Sequence, residues 1–572
     1  MEPIAVVGMG GVFPEASNLS TFWQNIINKI DTSADIPADR WAAPSKAMLT
    51  KAFQPDKAYS RRACLIRDFH FDSSELNIPP ALVQDLDPLY QLVLHAGRES
   101  TAECTFKNIN RNRIGVILAA IALPTEGSST LARDIVGRSF EQEMMNRMGL
   151  RLSQSEKPLL KHPYSAGRVT SLPASLLADA FEFGGGTLTL DAACASSLYA
   201  IKLACDELNA HRVDAMLAGG VSRPDCLYTQ VGFSQLRALS PSGSCAPFDE
   251  SADGLVVGEG AGTVVLKRLA DAVSAGDTVH GVIRGIGLSN DLLGNLLAPD
   301  SEGQVRAMQK AYANSGWSVQ DVDIIECHGA GTPLGDTTEL ASLNQLWGEN
   351  GWRTGQCAIG SVKSMIGHLL TAAASAGLIK ILLGFKHRIL PPSINFQKPP
   401  VNSPLINGPF KIQTEIEPWE RRSDKIPRRA AINAFGFGGI NAHLLIEEYI
   451  SERLPRLPAS RLARSSFDSP MKESTREEAD HLKALQKQIY RDGQTGKPAN
   501  GQTESLIAIV GMDAAFGSLD SLSMFEQAVF EGKSMIDARP GPRWKGCDLL
   551  AQDLLGGRSM PGAYLDRIQI TP

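Results

Sequence analysis

The chain is 572 residues long, and 43% of its residues are hydrophobic and 21% charged. These values lie near the globular average and exclude a wholly disordered, collagen-like or coiled-coil chain. The formal net charge of −6 disfavours a nucleic-acid-binding protein, because that class usually carries a strong basic excess. The length suits about four average domains, or one large two-lobed enzyme with a smaller remainder.

The nine cysteines stand singly, without any Cys-x-x-Cys pair, which disfavours a disulfide scaffold or a zinc ribbon and suits a reducing compartment. The N-terminus, Met1-Glu2-Pro3, lacks the basic segment of a signal peptide. The longest apolar stretch, residues 369–385, is shorter than the ~20 residues of a spanning helix and contains Lys380. We therefore expect a cytoplasmic protein with no membrane span.

In chain order, strand-like apolar runs alternate with amphipathic helices such as 197–208. The predicted strands are residues 4–7, 114–118, 188–190, 215–218, 262–266, 324–327 and 444–446. This alternation predicts a layered α/β fold. Gly8, Gly10 and Gly11 follow the first strand, but Phe13 stands where a dinucleotide-binding loop needs its third glycine, so we interpret them as a tight structural turn.

Cys194 is the first candidate for chemistry. It lies in Asp191-Ala-Ala-Cys194-Ala-Ser-Ser-Leu, between a predicted strand and a predicted helix. The partial positive charge at a helix N-terminus favours a thiolate, so we expect a lowered thiol pKa and a nucleophilic role. Taken alone, a single cysteine is more often buried packing.

Three histidine-bearing stretches lie at predicted strand–loop junctions, where α/β enzymes collect active-site groups. They are Glu326-Cys-His328-Gly-Ala-Gly-Thr332-Pro, Gly360-Ser-Val-Lys363-Ser-Met-Ile-Gly-His368 and Asn433-Ala-Phe-Gly-Phe437-Gly-Gly-Ile-Asn-Ala-His443. We expect the second stretch to lead into a long apolar helix. Because no further ligands at suitable spacing follow Cys327 and His328, we expect no metal site.

The beginning of the chain recurs near its end. Ile4-Ala-Val-Val-Gly-Met9 returns as Ile507-Ala-Ile-Val-Gly-Met512, and the same offset of 503 residues pairs Phe22 with Phe525 and Trp41 with Trp544. We therefore predict three parts: a first unit over 1–450, a polar linker over 451–505 and the incomplete start of a second copy over 506–572. The linker is polar and rich in Pro, Ser and Gly. We interpret the chain as a fragment of a longer multidomain protein.

Together these motifs resemble the β-ketoacyl synthase family, the condensing enzymes of fatty-acid and polyketide synthesis. The resemblance covers about residues 1–450 and also includes His328-Gly-Ala-Gly-Thr332-Pro-x-Gly-Asp336-x-x-Glu339. It implies an α/β thiolase-like fold of duplicated α/β layers, with mixed five-stranded sheets and buried helices, normally in a homodimer. The tandem copy is most similar to iterative type I polyketide or polyunsaturated-fatty-acid synthases, in which the second copy can be a chain-length factor.

The resemblance also implies roles for individual residues. Cys194 would accept the acyl group, and His328 and His368 would bind the malonyl thioester carbonyl and assist decarboxylation. Lys363, Asp336 and Glu339 would form a charged supporting cluster, the backbone N–H groups of Cys194 and Phe437 an oxyanion hole, and His443 a structural element. Substrates would arrive on the phosphopantetheine of an acyl carrier protein, with Thr332 near that arm and no other cofactor.

The sequence departs from the family pattern near the expected arm. Ala330 and Leu297 stand where threonines commonly bind pantetheine, which puts that contact in doubt. One alternative is a catalytically silent scaffold or chain-length partner that binds carrier protein. Another is a degradative thiolase, but that enzyme needs a second reactive cysteine near the last motif, where this chain has Gly438 and Gly439.

Overall fold

The computed structural model describes residues 2–148, 171–292, 298–451 and 519–536, except positions 42, 75, 80, 81, 84, 85, 107, 108 and 520. The chain divides into two compact units, residues 1–134 with 153–450 and residues 135–152 with 451–572. The predicted linker (beyond Ser451) and most of the predicted second copy lie outside the described residues. Within the part that is described, no helix is both long and apolar enough to cross a membrane.

The strands fall into one large sheet and two small ones. They are β1 Ile4–Val12, β2 Ala34–Asp35, β3 Arg62–Cys64, β4 Ile114–Ala120, β5 Thr187–Leu190, β6 Ala215–Ser222, β7 Val257–Gly258, β8 Gly260–Arg268, β9 Gly281–Asn290, β10 Ile324–Glu326, β11 Cys357–Gly360, β12 Ile389–Leu390, β13 Phe410–Ile412, β14 Glu417–Pro418, β15 Arg429–Gly436 and β16 Ile440–Glu447. All seven predicted strands are confirmed, since each falls wholly or largely within an observed strand.

Most of the helices connect strands of the first unit, whereas α4 extends into the second unit and α13 lies wholly within it. They are α1 Leu19–Ile27, α2 Ser45–Met48, α3 Pro88–Ala102, α4 Glu126–Arg147, α5 Leu172–Phe181, α6 Ser196–Asn209, α7 Cys226–Gln235, α8 Leu269–Ala275, α9 Ser301–Ser315, α10 Pro333–Trp347, α11 Lys363–Ile366, α12 Ala373–His387 and α13 Leu522–Phe530. The predicted helix over 197–208 is α6, and the long apolar helix after His368 is α12.

The large sheet consists of two five-stranded groups with the same internal order. The first runs β5-β4-β6-β8-β1 and the second runs β11-β10-β15-β16-β9. In both groups the first two pairings are parallel and the other two antiparallel. The predicted duplication of mixed five-stranded sheets is therefore confirmed. The groups join where β1 pairs with β9, and β13 adds a further strand beside β11.

Three apolar clusters place these groups in layers. The largest cluster lies between them and contains the buried faces of α6 and α12, whose first turns are linked by a hydrogen bond from Ser375 N to Ser197 Oγ (3.1 Å). A second cluster packs α3 and α5 on the outer face of the first group, and a third packs α9 and α10 on that of the second. Burying apolar faces on both sides of each group gives the layered α/β arrangement.

The prediction of a glycine turn after the first strand is wrong. β1 continues through Val12, and Gly8 and Gly10 lie inside it. A Cβ atom at Gly8 would lie 2.0 Å from Ser100 O, and one at Gly10 would lie 2.2 Å from Ala96 O. The glycines therefore let α3 pack against the strand at close range.

Candidate active site

One cavity of about 250 Å³ brings together most of the predicted site residues. Its lining includes Cys194, His328, His368, Phe437 and Thr332, which come from loops far apart in the chain. Cys194 lies between β5 and α6, His328 follows β10, and His368 lies between α11 and α12. β5 belongs to the first five-stranded group, whereas β10 and β11 belong to the second, so the cavity is lined by loops from both groups.

The turn that carries Cys194, residues 191–196, is held by hydrogen bonds between neighbouring residues. Ser196 Oγ accepts from Ala192 N (2.7 Å) and donates to Ala193 O (2.5 Å), and Asp191 accepts from Ala193 N (3.0 Å). Ala193 has φ of 49°, a left-handed conformation that costs energy for a residue other than glycine. Cys194 thus sits just before the N-terminus of α6, between strand and helix as predicted, and the turn that carries it is strained at Ala193.

The end of β15 lies against this turn. A Cβ atom at Gly436 would lie 3.1 Å from Cys194 N and 3.2 Å from Ala192 O. The absence of a side chain at Gly436 therefore allows β15 to approach the backbone of Cys194. Phe437 follows directly, and its backbone N–H lies close enough to the Cys194 sulfur to lower the thiol pKa, so the two predicted oxyanion-hole residues are neighbours.

The predicted lowering of the Cys194 pKa is wrong. Burial raises the pKa of the Cys194 thiol to about 11, and this effect exceeds the opposing influence of the Lys363 charge and of the backbone N–H groups of Phe437 and Cys194. Removal of a thiolate from water outweighs the favourable field at the helix N-terminus. At neutral pH the resting sulfur is therefore mainly a thiol.

His328 and His368 face each other, with ring centroids 5.3 Å apart and ring planes at 73°. The Nδ1 atom of His368 accepts from Leu370 N (2.9 Å), and that of His328 accepts from Phe435 N (3.4 Å). A ring nitrogen that accepts from a backbone N–H carries no proton, so each neutral imidazole carries its proton on Nε2. Nε2 of His368 is buried and has no hydrogen-bond partner among the described residues.

Both imidazoles are held neutral. Burial lowers the pKa of His328 and of His368 well below the ordinary value, and the nearby Lys363 charge acts in the same direction. Two uncharged N–H donors in a largely apolar cavity can stabilise negative charge that develops on a substrate oxygen.

The predicted supporting cluster holds the loop of His328 through its backbone. Glu339 accepts from His328 N (2.7 Å) and Gly329 N (2.8 Å), and Asp336 accepts from Gly331 N (3.2 Å). Burial raises the pKa of Asp336 to about 7 and raises the pKa of Glu339. Lys363 is also buried. Among the described residues it forms no ion pair with Asp336 or Glu339, so it acts on the site through the field of its charge.

Two further groups behind the cavity were not identified from the sequence. Glu326 Oε2 accepts from Lys380 Nζ (2.8 Å) and its Oε1 accepts from Val362 N (2.6 Å), with both charged side chains at most 2% exposed. Asn433 donates from Nδ2 to Glu339 Oε1 (2.8 Å), and its Oδ1 lies 2.6 Å from Nδ1 of His443. Two sequence signals could have identified the Glu326–Lys380 pair. One is an isolated acid just before a histidine, and the other is a lysine within an apolar helix.

The remaining predicted positions have clear places. The third motif is a hairpin of β15 and β16 rather than a loop, and His443 is fully buried within β16. Thr332 lines the cavity and stands at the N-terminus of α10 without capping it through its side chain. Within the described ranges, no group of three or more His, Cys, Asp or Glu side chains is arranged to hold a metal ion.

Comparisons with known proteins agree with this geometry. The family described as beta-ketoacyl synthase, N-terminal domain, matches residues 1–272, and its C-terminal domain matches residues 280–397. Polyketide synthase PksL of Bacillus subtilis is 32% identical over 461 residues, which are 79% of this chain and 9% of that protein. A polyunsaturated fatty acid synthase subunit of Thraustochytrium is 32% identical over 472 residues, which are 78% of this chain and 16% of that protein.

A solved structure described as a PfaC keto synthase–chain length factor is similar over the whole chain. It has a TM-score of 0.81 and 31% identity, and the match covers 100% of this chain and 57% of that one. The duplicated fold, the shared cavity and the two family matches lead to one conclusion: the chain belongs to the β-ketoacyl synthase family.

Proposed function

We propose that the first unit catalyses a decarboxylative Claisen condensation between an acyl group held on Cys194 and a malonyl-type extender. The observation that carries this proposal is the single cavity in which the Cys194 sulfur, the N–H of Phe437 and two neutral imidazoles meet. The match covers only 9% and 16% of the two relatives above. Any activity of this chain within a longer synthase is therefore also part of the proposal.

The first step is acyl transfer onto Cys194. The sulfur attacks the donor thioester carbonyl, the new carbon–sulfur bond forms, and the donor carbon–sulfur bond breaks. Because the pKa of Cys194 is raised to about 11, its proton must leave as the bond forms. The departing donor thiolate, with an ordinary thiol pKa, takes that proton. The N–H groups of Cys194 and Phe437 stabilise the tetrahedral oxyanion.

The second step is decarboxylation of the extender. Nε2–H of His328 and of His368 donate to the extender thioester oxygen. The carbon–carboxylate bond breaks, CO2 leaves, and the electron pair remains as an enolate on the held thioester. The supporting observation is that backbone N–H groups donate to Nδ1 of both rings, which leaves the proton on Nε2 of two histidines that line the cavity.

In the third step the enolate carbon attacks the Cys194 acyl carbonyl. A carbon–carbon bond forms, the thioester bond to Cys194 breaks, and the β-ketoacyl thioester leaves on the carrier. Cys194 is released as a thiolate and takes one proton from solvent, which restores the resting thiol. The extender and donor bring their own thioesters, so these steps use no metal or redox cofactor. We include an acyl carrier protein as the partner that delivers both substrates on phosphopantetheine, with Thr332 beside the arm.

Intact-protein mass after incubation with acyl thioesters tests the proposal. We expect the wild type to gain one acyl group and Cys194→Ala to gain none. Addition of malonyl carrier protein should then release β-ketoacyl product and CO2 from the acylated wild type. Absence of acylation with every donor would instead support the silent scaffold, which the retained Cys194, His328 and His368 disfavour.

We also propose the division into a ketosynthase over 1–450, a linker over 451–505 and a second ketosynthase-like copy from 506, whose role is that of a chain-length factor. Two observations support this. Helices α1 and α13 have the same length at the 503-residue offset, and each begins after a capping Asn or Ser. The similar solved structure is described by both names, keto synthase and chain length factor.

The remaining parts of the proposal concern assembly and location. Edge strand β5 exposes Leu188, 42% accessible, which supports pairing with a second copy in a homodimer. The eight cysteines among the described residues are free thiols, which suits the proposed cytoplasmic location. Size-exclusion chromatography with light scattering tests the dimer.

A further inference from the structure

The cavity wall carries few polar groups beyond the proposed chemistry. Among the described residues that line it, only Arg237, Gln304 and Thr332 add polar side chains to Cys194 and the two histidines. The rest of the wall consists of apolar side chains and glycine backbone. The two positions where the family pattern favours threonine add no polar side chain to the described wall. Ala330 is apolar, and Leu297 lies outside the described residues.

Gln304 is unusual among these three. It lies in the first turns of α9 and is 1% exposed, and its Oε1 has no hydrogen-bond partner. The hydrogen bonds among the described residues include none made by its side chain. Two other buried glutamines, Gln230 and Gln413, also leave Oε1 unpaired, but each donates its amide N–H to a backbone oxygen and neither lines the cavity.

Buried polar groups in folded proteins normally have partners, and an exception calls for a ligand or a water. A carboxamide on a cavity wall offers one acceptor and two donors. A hydrocarbon acyl chain has no group to match them. A pantetheine arm carries two secondary amides, each with one N–H and one C=O, and so complements the carboxamide at both ends.

We infer that Gln304 hydrogen-bonds an amide of the pantetheine arm and so replaces the contact that threonine side chains would make. This rests on the proposed function, because it assumes that the substrates arrive as pantetheine thioesters. Ala298 and Pro299 line the same cavity just ahead of α9, so one chain segment contacts the arm along this wall. Gln304 is then a binding residue that selects donors by their amides.

Three donors with one acyl group separate this role from a structural one. They are butyryl-pantetheine with two amides, butyryl-N-acetylcysteamine with one, and S-propyl thiobutyrate with none. The rate of Cys194 acylation is measured by intact mass on the full chain for the wild type, Gln304→Leu and Gln413→Leu. The last variant removes an equally buried carboxamide outside the cavity.

We expect Gln304→Leu to lower the rate ratio of butyryl-pantetheine to the propyl thioester about three- to tenfold, as loss of one hydrogen bond predicts. The propyl thioester itself should react at the wild-type rate, and Gln413→Leu should keep the wild-type ratio. Should Gln304→Leu fail to fold, Gln304→Met, which is unbranched and of similar length, gives the same comparison.

An unchanged ratio, or equal slowing of all three donors, would overturn the inference. A fourth donor, 3-hydroxybutyryl-pantetheine, tests whether Gln304 binds the acyl chain instead. If Gln304→Leu slows this donor more than butyryl-pantetheine, the inference is also overturned. Failure of the wild type to acylate with any donor is a different result: it removes the proposed function, and this inference with it.

Discussion

Replacing Glu326 with glutamine would leave the Lys380 ammonium buried without its counter-ion. The two charged atoms are 2.8 Å apart, and the side chains are at most 2% exposed. At an effective dielectric constant of about 20, charges this close attract by about 6 kcal/mol, which is offset by several kcal/mol of desolvation for each ion. We expect Glu326→Gln alone, or Lys380→Met alone, to lower the free energy of unfolding by about 3–5 kcal/mol.

The double variant Glu326→Gln/Lys380→Met carries no unpaired charge, so we expect it to be more stable than either single variant. Urea unfolding of all four proteins measures this difference. Glu417→Gln is the matched control, since its partner Lys411 lies 3.1 Å away but both side chains are about half exposed. That exposed pair should contribute less than about 1 kcal/mol. Additive losses in the double variant would refute the reasoning.

The same pair has a functional consequence. Glu326 precedes His328 by two residues and accepts from Val362 N, just before the Lys363–His368 segment. A loosened pair should therefore slow condensation more than Cys194 acylation, because in the proposed mechanism only condensation uses both histidines; the two rates are compared in Glu326→Gln and the wild type.

Three further predictions concern the cavity. Alkylation of Cys194 by iodoacetamide should rise about tenfold per pH unit between pH 7 and 9, because its pKa of about 11 keeps it protonated throughout that range. His368→Ala should keep self-acylation but lose about 10²–10³-fold in condensation, since it removes a donor to the enolate oxygen. Gly436→Ala should slow acylation by about three- to tenfold, because the new Cβ pushes the turn that carries Cys194 by a fraction of an ångström.

Each of these has a clear contrary outcome. A rate of alkylation that is already level at pH 7 would mean a stable thiolate, and Cys194→Ala identifies the modified site. Full condensation in His368→Ala would remove its assigned role. Gly232→Ala is the control for Gly436→Ala, since a Cβ atom at Gly232 meets nothing within 4 Å; equal activity of the two variants would contradict the steric argument.

The sequence predicted the site better than its electrostatics. Cys194, His328 and His368 were identified because motifs carry their loops at strand ends, and the fold does bring those ends together. The thiol pKa was wrong because the helix N-terminus is a local feature, whereas burial depends on segments hundreds of residues away. Glu326 and Lys380 were passed over for the same reason, since 54 residues separate them.

The glycine-rich strands show a second limit. Gly8 and Gly10 in β1 suggested a turn, and β9, with Gly285 and Gly287, was not predicted at all. In β9 a Cβ atom at Gly287 would lie 1.9 Å from Ala307 O of α9, as one at Gly8 would meet Ser100 O of α3. Close helix–strand packing requires these glycines, and the glycines weaken the apolar alternation by which a strand is recognised.

The repeated strand order also bears on which five-stranded group carries each proposed catalytic side chain. β5 and β11 hold equivalent places in the two groups, and the turn after β5 carries Cys194 while the segment after β11 carries His368. In the proposed mechanism, the first group would therefore supply the acyl acceptor and the second an N–H donor, from corresponding places in the repeated strand order. Neither group alone would hold both of these side chains, so the proposed chemistry depends on the two groups being packed together.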